Sequence, residues 1–426
     1  MKRAPLRRSV LSWALYDWAN SAFSTTVMAG FFPVFFKQYA SAGAESTEST
    51  LRLGTANAAA SVVVAVLAPL LGAIADQAGA RKKFLFVFAA LGIVMTGALR
   101  FVQAGEWEIA VLVFAAATIG FSSANSFYDS LLVNVAPPGR SDFVSALGFA
   151  CGYLGGGVLF AVNVAMTLHP GFFGLADAEE AVRISFITVA VWWAVFSIPL
   201  LVFVKEPPRR PDRNGGSIAE GLRQLKRTFA KVRKLRVVLL FLLGYWCYID
   251  GVDTITRMAV DYGLSIGFDA KNLVTALLIT QFVGFPAAII FGKIGEKKGA
   301  KTGIYIGIAV YVAACVWAYR MTAVWEFYGL AVTVGLVLGG IQSLSRSFYS
   351  RIIPRDKSAE FFGFYNMLGK FAAVLGPLLM GGVGVATRNP RLAILSVIVL
   401  LVAGAVLLSR VRESEGARAA QEMESA

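Results

Sequence analysis

The sequence predicts an all-helical integral membrane protein with twelve transmembrane helices. Of its 426 residues, 57% are hydrophobic and only 15% are charged, whereas soluble domains carry about a quarter charged residues. The sequence also contains 42 glycines, and glycine is more frequent in membrane helices than in soluble ones. This composition disfavours a single water-surrounded globule of this length.

Twelve apolar stretches are each long enough to cross a bilayer, which takes about 20 residues. In the first half they are 12–36, 56–75, 84–103, 109–135, 143–168 and 184–204. In the second half they are 237–262, 273–291, 302–320, 327–349, 361–386 and 392–408. The first stretch follows a basic head but shows no small-residue cleavage site, so we expect an uncleaved helix rather than a signal peptide.

The basic residues predict the orientation of these helices. With the amino terminus inside, 30 of the 40 Lys and Arg residues fall on the cytoplasmic side and 9 on the outer side. Because basic residues concentrate in cytoplasmic loops, both termini are expected inside. The net charge of +14 therefore reflects topology and contact with membrane lipid. A nucleic-acid partner is not expected, because such proteins gather their basic residues on one face.

A long basic segment divides the chain into two sets of six helices. We expect an N-terminal bundle over 1–205, a cytoplasmic linker over 206–236, a C-terminal bundle over 237–410 and a cytoplasmic tail over 411–426. Within the linker, 217–235 can form a basic amphipathic helix on the inner leaflet. A linker that mainly fixes topology is the simpler alternative.

The two halves carry matching motifs. Residues 72–81 and 292–301 both read Gly-x-x-x-acid-x-x-Gly-x-basic, 220 positions apart. Ser-Phe-Tyr recurs at 126–128 and 347–349, and Gly-Phe recurs at 148–149 and 363–364. A repeat of six helices on either side of a central loop is the architecture of parallel-repeat transporters.

The repeated loop motif resembles the signature of the major facilitator superfamily. Within it, the segment Trp-Ala-Leu-Tyr-Asp-Trp-Ala-Asn-Ser-Ala-Phe at 13–23 resembles the UMF1 or Atg22-like family of vacuole effluxers. Segments 248–252, 339–347 and 361–370 carry the same resemblance. The resemblance implies two pseudo-symmetric six-helix bundles that transport by alternating access, and the eukaryotic members suggest amino-acid export.

Ionisable side chains within the predicted helices are the first functional candidates, because a charge in the membrane is costly unless it meets a partner or water. In the fold that the sequence resembles, helices 1, 4, 7 and 10 line a central cavity and helix 11 borders it. At about 1.5 Å per residue, Lys370 and Asp250 lie near the bilayer midplane. The full set is Asp17, Asp129, Asp250, Asp253, Arg257, Arg346 and Lys370.

We expect Lys370 to bind a substrate carboxylate and Asp250 to hold an amino group or a proton. Asp17 and Asp253 are further proton-coupling candidates, since the one histidine lies in a predicted outer loop. Each neutral polar side chain in the predicted site has an interhelical hydrogen bond as its alternative role. These neutral candidates are Asn20, Asn125, Gln281, Gln342, Tyr365 and Asn366.

A further set of charged residues is predicted to act at the cytoplasmic gate. In the resembled fold, the charged residues of the repeated loop motif serve as conformational locks with loop basics and helix ends. For Arg346, a salt bridge between the bundles to Asp17 or Asp129 and a substrate role are open alternatives. The gate and lock candidates are Asp76, Arg81, Asp129, Glu296, Lys301 and Arg346.

The predicted function is secondary active transport of a small polar solute, an amino acid or similar zwitterion or anion, in the export direction. Proton coupling would have to run through acids. The alternative is a non-transporting receptor, scaffold or lipid-handling protein on the same fold. The sequence shows no catalytic, metal-binding or nucleotide-binding motif, so we expect neither enzymatic activity nor a cofactor or metal. We expect a monomer in a bacterial inner membrane.

Overall fold

All regular secondary structure that the computed structural model describes is helical. The described residues are 7–43, 46–206, 235–265, 270–371 and 375–425. In these ranges, eleven helices are long and apolar enough to cross a membrane. The continuous helical stretch 8–40 adds a twelfth, in which α-helical turns alternate with wider π-type turns. The predicted fold class is confirmed.

The N-terminal bundle contains six helices. Stretch 8–40 is α1, with π-type turns over Phe23–Phe31 and Phe36–Ala40. It is followed by α2 (Ser46–Ala78), α3 (Arg81–Ala98), α4 (Trp107–Ser130), α5 (Ser141–Leu168) and α6 (Ala178–Phe203). Aromatic rings fill the core of this bundle, as between Phe32 and Phe114, whose ring centroids lie 3.8 Å apart. Such stacking holds α1 against α4.

The C-terminal bundle repeats the arrangement. Its helices are α7 (Arg236–Ser265), α8 (Ala270–Lys298), α9 (Ala300–Arg320), α10 (Val324–Ile352), α11 and α12 (Pro390–Ser409). Helix α11 is described as α11a (Ser358–Phe371) and α11b (Leu375–Thr387). The tail forms a helix that the sequence analysis did not predict, α13 (Glu413–Ser425). The amphipathic helix predicted over 217–235 falls almost entirely outside the described residues.

The two bundles meet along two equivalent helix pairs, α2 with α11a and α5 with α8. Glycines permit this close approach: a Cβ at Gly72 would clash with the backbone of Ala359, and one at Gly363 would clash with that of Ala68. In the second pair, Gly292 of α8 packs directly on α5. These contacts lie in the half of the bundles that the basic residues predict to face the cytoplasm, and they close the bundles on that side.

Candidate functional site

A polar cavity of about 250 Å³ lies between the two bundles. Helices α1, α4 and α5 form one wall, and α7, α10 and α11a form the other. The cavity therefore brings together the helices that the family resemblance implied. Its lining residues are Asp17, Asn20, Ser21, Ser24, Phe121, Asn125, Tyr128, Asp129, Phe149, Tyr245, Gln342, Arg346, Tyr365 and Asn366.

Arg346 of α10 connects the two bundles at the cytoplasmic floor of the cavity. Its side chain is 4% exposed, and its Nη1 lies 2.9 Å from Oδ1 of Asp129 and 3.5 Å from Oδ2 of Asp17. Its Nε donates to Oγ of Ser145 at 2.9 Å, and its Nη2 donates to the Ser145 carbonyl at 2.8 Å. Of the two alternatives for Arg346, the structure shows the geometry of the salt bridge between bundles.

Aromatic rings enclose the same guanidinium. Its carbon lies 4.4 Å from the ring centroid of Phe149, 4.9 Å from Trp13 and 5.5 Å from Tyr128. The hydroxyl of Tyr128 also donates to Oδ2 of Asp17 at 2.9 Å. Ring faces attract a cation and exclude water from its pairs. These aromatic residues were not predicted from the sequence, although the repeated Ser-Phe-Tyr motif was an available signal for Tyr128.

Amide side chains supply the remaining polar surface. Nδ2 of Asn20 donates to Oδ1 of Asn125, which joins α1 to α4. Nδ2 of Asn366 donates to Oδ2 of Asp129 at 3.2 Å, a contact between α11a and α4. Gln342 also lies in the lining. In the part of the chain that the structure describes, no group of three or more His, Cys, Asp and Glu residues is placed to hold a metal ion.

Asp250, predicted to contact substrate, lies outside this lining. It is fully buried and accepts hydrogen bonds from the amides of Leu375 at 3.1 Å and Gly376 at 3.0 Å. Leu375 and Gly376 are the first two described residues of α11b. Thr254 donates to the same carboxylate at 3.3 Å. Asp250 thus joins α7 to α11b through its carboxylate, and its predicted substrate contact stays a prediction.

Three other predicted residues also lie outside the lining. Nε2 of Gln281 donates to Oγ1 of Thr25 at 2.6 Å, which joins α8 to α1. Lys370 lies on α11a, one helical turn beyond Asn366 toward the outer side, and Asp253 lies on α7. Their roles in binding and proton coupling stay predictions.

The first copy of the repeated motif bridges the bundles at their cytoplasmic ends. Asp76 is 3% exposed, pairs with Arg81, and accepts hydrogen bonds from the amides of Ala359 at 3.2 Å and Glu360 at 2.8 Å. Arg81 also donates to the carbonyls of residues 355 and 356. Because a carboxylate at a helix amino terminus is favoured by the helix dipole, Asp76 ties α2 to α11a.

The second copy of the repeated motif makes weaker contacts between the bundles. Glu296 accepts from Nε of Arg140 at 3.3 Å, and both side chains are partly exposed. Lys301 donates to the carbonyls of Ser409 and Val411, which belong to its own bundle. The two halves of the repeat are therefore not equivalent at the gate.

A further connection between the bundles was not predicted from the sequence. Oδ1 of Asp142, at the start of α5, accepts hydrogen bonds from Nη1 of Arg351 at 2.6 Å and from Oγ of Ser347. Nε of Arg351 donates to Oε1 of Glu413 at 2.6 Å. An acid in the first turn of a helix is commonplace, so the sequence offered no signal for this network.

Two pseudo-symmetric helical bundles with a polar cavity between them define a transporter of the major facilitator type. The fold is similar to that of the human organic anion transporter MFSD10, with a TM-score of 0.72 and 14% identity over 95% of this chain and 100% of that chain. It is also similar to the transporter FucP in its outward conformation, with a TM-score of 0.69 and 12% identity over the same shares. At these identities the likeness concerns the fold alone.

The chain belongs to the vacuole effluxer Atg22-like family, whose model matches residues 55–138 and 135–421. It is 39% identical over 425 residues to "Uncharacterized MFS-type transporter YxiO" of Bacillus subtilis, covering 96% of each chain. It is 29% identical over 313 residues to autophagy-related protein 22 of Yarrowia lipolytica, covering 66% of this chain and 52% of that relative. The family predicted from the sequence is confirmed.

Proposed function

We propose that this protein is a secondary active transporter of a small polar solute that carries an ammonium group, as amino acids do. The observation that carries the proposal is the cavity, whose wall is shared between two bundles closed toward the cytoplasm. When two bundles rock about a shared site, that site opens to one side of the membrane and then to the other. The contacts between the bundles on the predicted cytoplasmic side favour the outward-facing half of such a cycle.

The charges of the cavity favour an ammonium group. Asp17 and Asp129 face a single guanidinium, that of Arg346, so the ionised cluster has a net charge of −1. A buried net charge is costly unless a partner compensates it. An ammonium group of the solute or a proton would restore neutrality. Exchange between these two is therefore a reasonable basis for coupling solute movement to a proton gradient.

The neutral side chains suit the rest of an amino acid. Asn20 and Asn125 present amide groups on one wall, and Gln342 presents one on the other. Amides both donate and accept hydrogen bonds, so they can pair with a carboxylate that no lysine or free arginine in the lining neutralises. The name of the family, vacuole effluxer, supports export as the direction.

The test is solute release from proteoliposomes loaded with cationic, zwitterionic and anionic amino acids under an imposed proton gradient. We expect release of zwitterionic or cationic solutes. Asp17→Asn should lower it about ten- to hundredfold, the effect of losing a hydrogen bond to a charged group. Glu108→Gln is the matched control, because Glu108 is exposed at the outer end of α4.

The outcomes separate the alternatives. Release of anionic solutes alone would overturn the ammonium assignment while keeping transport. The absence of any flux from folded protein would favour the non-transporting alternative. Lys370→Ala, measured in parallel, tests the sequence-based prediction that Lys370 binds a substrate carboxylate.

A further inference from the structure

The tail helix α13 packs across the cytoplasmic ends of the C-terminal bundle. A Cβ on Gly416 would lie 2.7 Å from Ile352 of α10 and 3.0 Å from Val237 of α7, so the helix sits directly on both. Ala420 is 5% exposed, and Met423 packs against the core of the bundle. These contacts all belong to one bundle, so α13 moves with it.

Glu413, the first residue of α13, pairs with Arg351, which also contacts the opposite bundle. Oε1 of Glu413 accepts from Nε of Arg351 at 2.6 Å, while Nη1 of the same guanidinium donates across the bundle boundary to Asp142 at 2.6 Å. Two atoms of one arginine are thus held by two acids on different bundles. Arg351 is 26% exposed and Glu413 is 40% exposed, so the chain of contacts reaches cytoplasmic water.

Near its carboxyl end, α13 also contacts the loop between α10 and α11a. Oε1 of Glu424 accepts from the amide of Arg355 in the loop between α10 and α11a. The carbonyls of residues 355 and 356 accept hydrogen bonds from Nη2 of Arg81, which belongs to the N-terminal bundle. The same short loop is therefore fixed by α13 on one side and contacts the opposite bundle on the other.

We propose that α13 is a cytoplasmic brace, in which Glu413 and Glu424 are positioning residues for the two contacts that close the cytoplasmic side. A long arginine side chain loses conformational entropy when it is fixed in a salt bridge. Glu413 stays beside Arg351 whether the bundles are apart or together, so it keeps the guanidinium aimed at Asp142. Closure then costs less entropy, and the outward-facing state is favoured. Only the link to transport rests on the proposed function.

The experiment measures the conformational equilibrium rather than flux. Spin labels are placed on the exposed positions Lys83 and Lys298, one on each bundle, in a full-length variant without native cysteines in lipid nanodiscs. The distance distribution then gives the ratio of cytoplasm-closed to cytoplasm-open molecules. We expect Glu413→Gln to lower this ratio about threefold, the effect of one partly exposed ion pair. Glu424→Ala, which removes the acceptor for the Arg355 amide, should lower it by a similar factor of about three, the effect of one hydrogen bond.

The matched control is Glu415→Gln on the same helix. Glu415 is 55% exposed and pairs with Arg412 one turn away, so the ratio should not change. Glu413→Asp keeps the charge on a shorter side chain and should restore part of the ratio. If Glu413→Gln changes the ratio no more than Glu415→Gln does, or raises it, the brace is refuted.

A double-mutant cycle separates positioning from general stability. If Glu413 acts through Arg351, Asp142→Asn should lower the ratio less in the Glu413→Gln background than in the parent protein. Additive effects would show that α13 contributes only to the stability of its own bundle, which overturns the proposal. Because the measurement is a distance, it tests the brace even if the protein transports none of the solutes supplied.

Discussion

Replacing Arg346 with methionine should release the two bundles at the floor of the cavity. The change keeps the length and apolar contacts of the side chain but removes the guanidinium. That group makes three hydrogen bonds to the N-terminal bundle at 2.8 to 2.9 Å, two to Ser145 and one to Asp129. It also lies 3.5 Å from Asp17. Both acids would then face the cavity without their cation.

The expected magnitude follows from these contacts. Hydrogen bonds to charged groups contribute about 1.5–3 kcal/mol each, and removing one partner of a buried ion pair costs about 3–5 kcal/mol. We use the ion-pair range of about 3–5 kcal/mol rather than the larger sum over three hydrogen bonds. The reason is that the carboxylates regain water when the cytoplasmic side opens. Since about 1.4 kcal/mol is a factor of ten, Arg346→Met should lower the ratio of cytoplasm-closed to cytoplasm-open molecules between about a hundredfold and a few thousandfold.

The assay is the same distance measurement between labels at Lys83 and Lys298. Arg412→Ala is the matched control, since Arg412 is 76% exposed and pairs with Glu415, only three residues along the chain. Adding Asp129→Asn to Arg346→Met removes one of the two uncompensated charges and should restore part of the ratio. A change of less than threefold in the single variant would show that the Arg346 contacts do not hold the bundles together.

Three further predictions follow from the fold. Asp76→Asn should open the cytoplasmic side more than Glu296→Gln, because Asp76 is buried and accepts hydrogen bonds from two helix amides. Site-directed labelling on the cytoplasmic side measures the opening in each variant. Asp250→Ala should lower the stability in detergent by about 1–3 kcal/mol, with the substrate KM unchanged, in thermal unfolding and flux assays. Gly72→Leu should displace α11a from α2 and lower thermal stability, since a Cβ there already meets backbone.

Much of the architecture could be predicted because it depends on local properties of the chain. The apolar length of each helix, the basic loops and the repeated motifs are read over a few residues at a time. The predicted cavity residues Asp17, Asn20, Asn125, Gln342, Tyr365 and Asn366 do line the cavity. They could be found because a polar side chain on a membrane helix has few other places to lie.

The hydrogen-bond partners of Asp250 could not be predicted from the sequence. Its position in an apolar helix indicated that the buried charge needs a compensating partner. The identity of that partner was not evident from the sequence. That partner is the backbone of Leu375 and Gly376, 125 and 126 residues further along the chain, and nothing near Asp250 in sequence indicates it. The same limit hid Asp142, whose role depends on Arg351 and on the tail helix.

The sequence by itself determined the fold class of twelve membrane-spanning helices, the family, and which side chains place a charge within the membrane. Only the tertiary structure decided which groups pair with these charges: Arg346 pairs with Asp129 across 217 residues of chain, whereas Asp250 accepts hydrogen bonds from the backbone of α11b. It also decided that the two copies of the loop motif differ in strength. The physical reason is that burial is set by a residue and its neighbours along the helix, whereas pairing is set by which helix faces pack together.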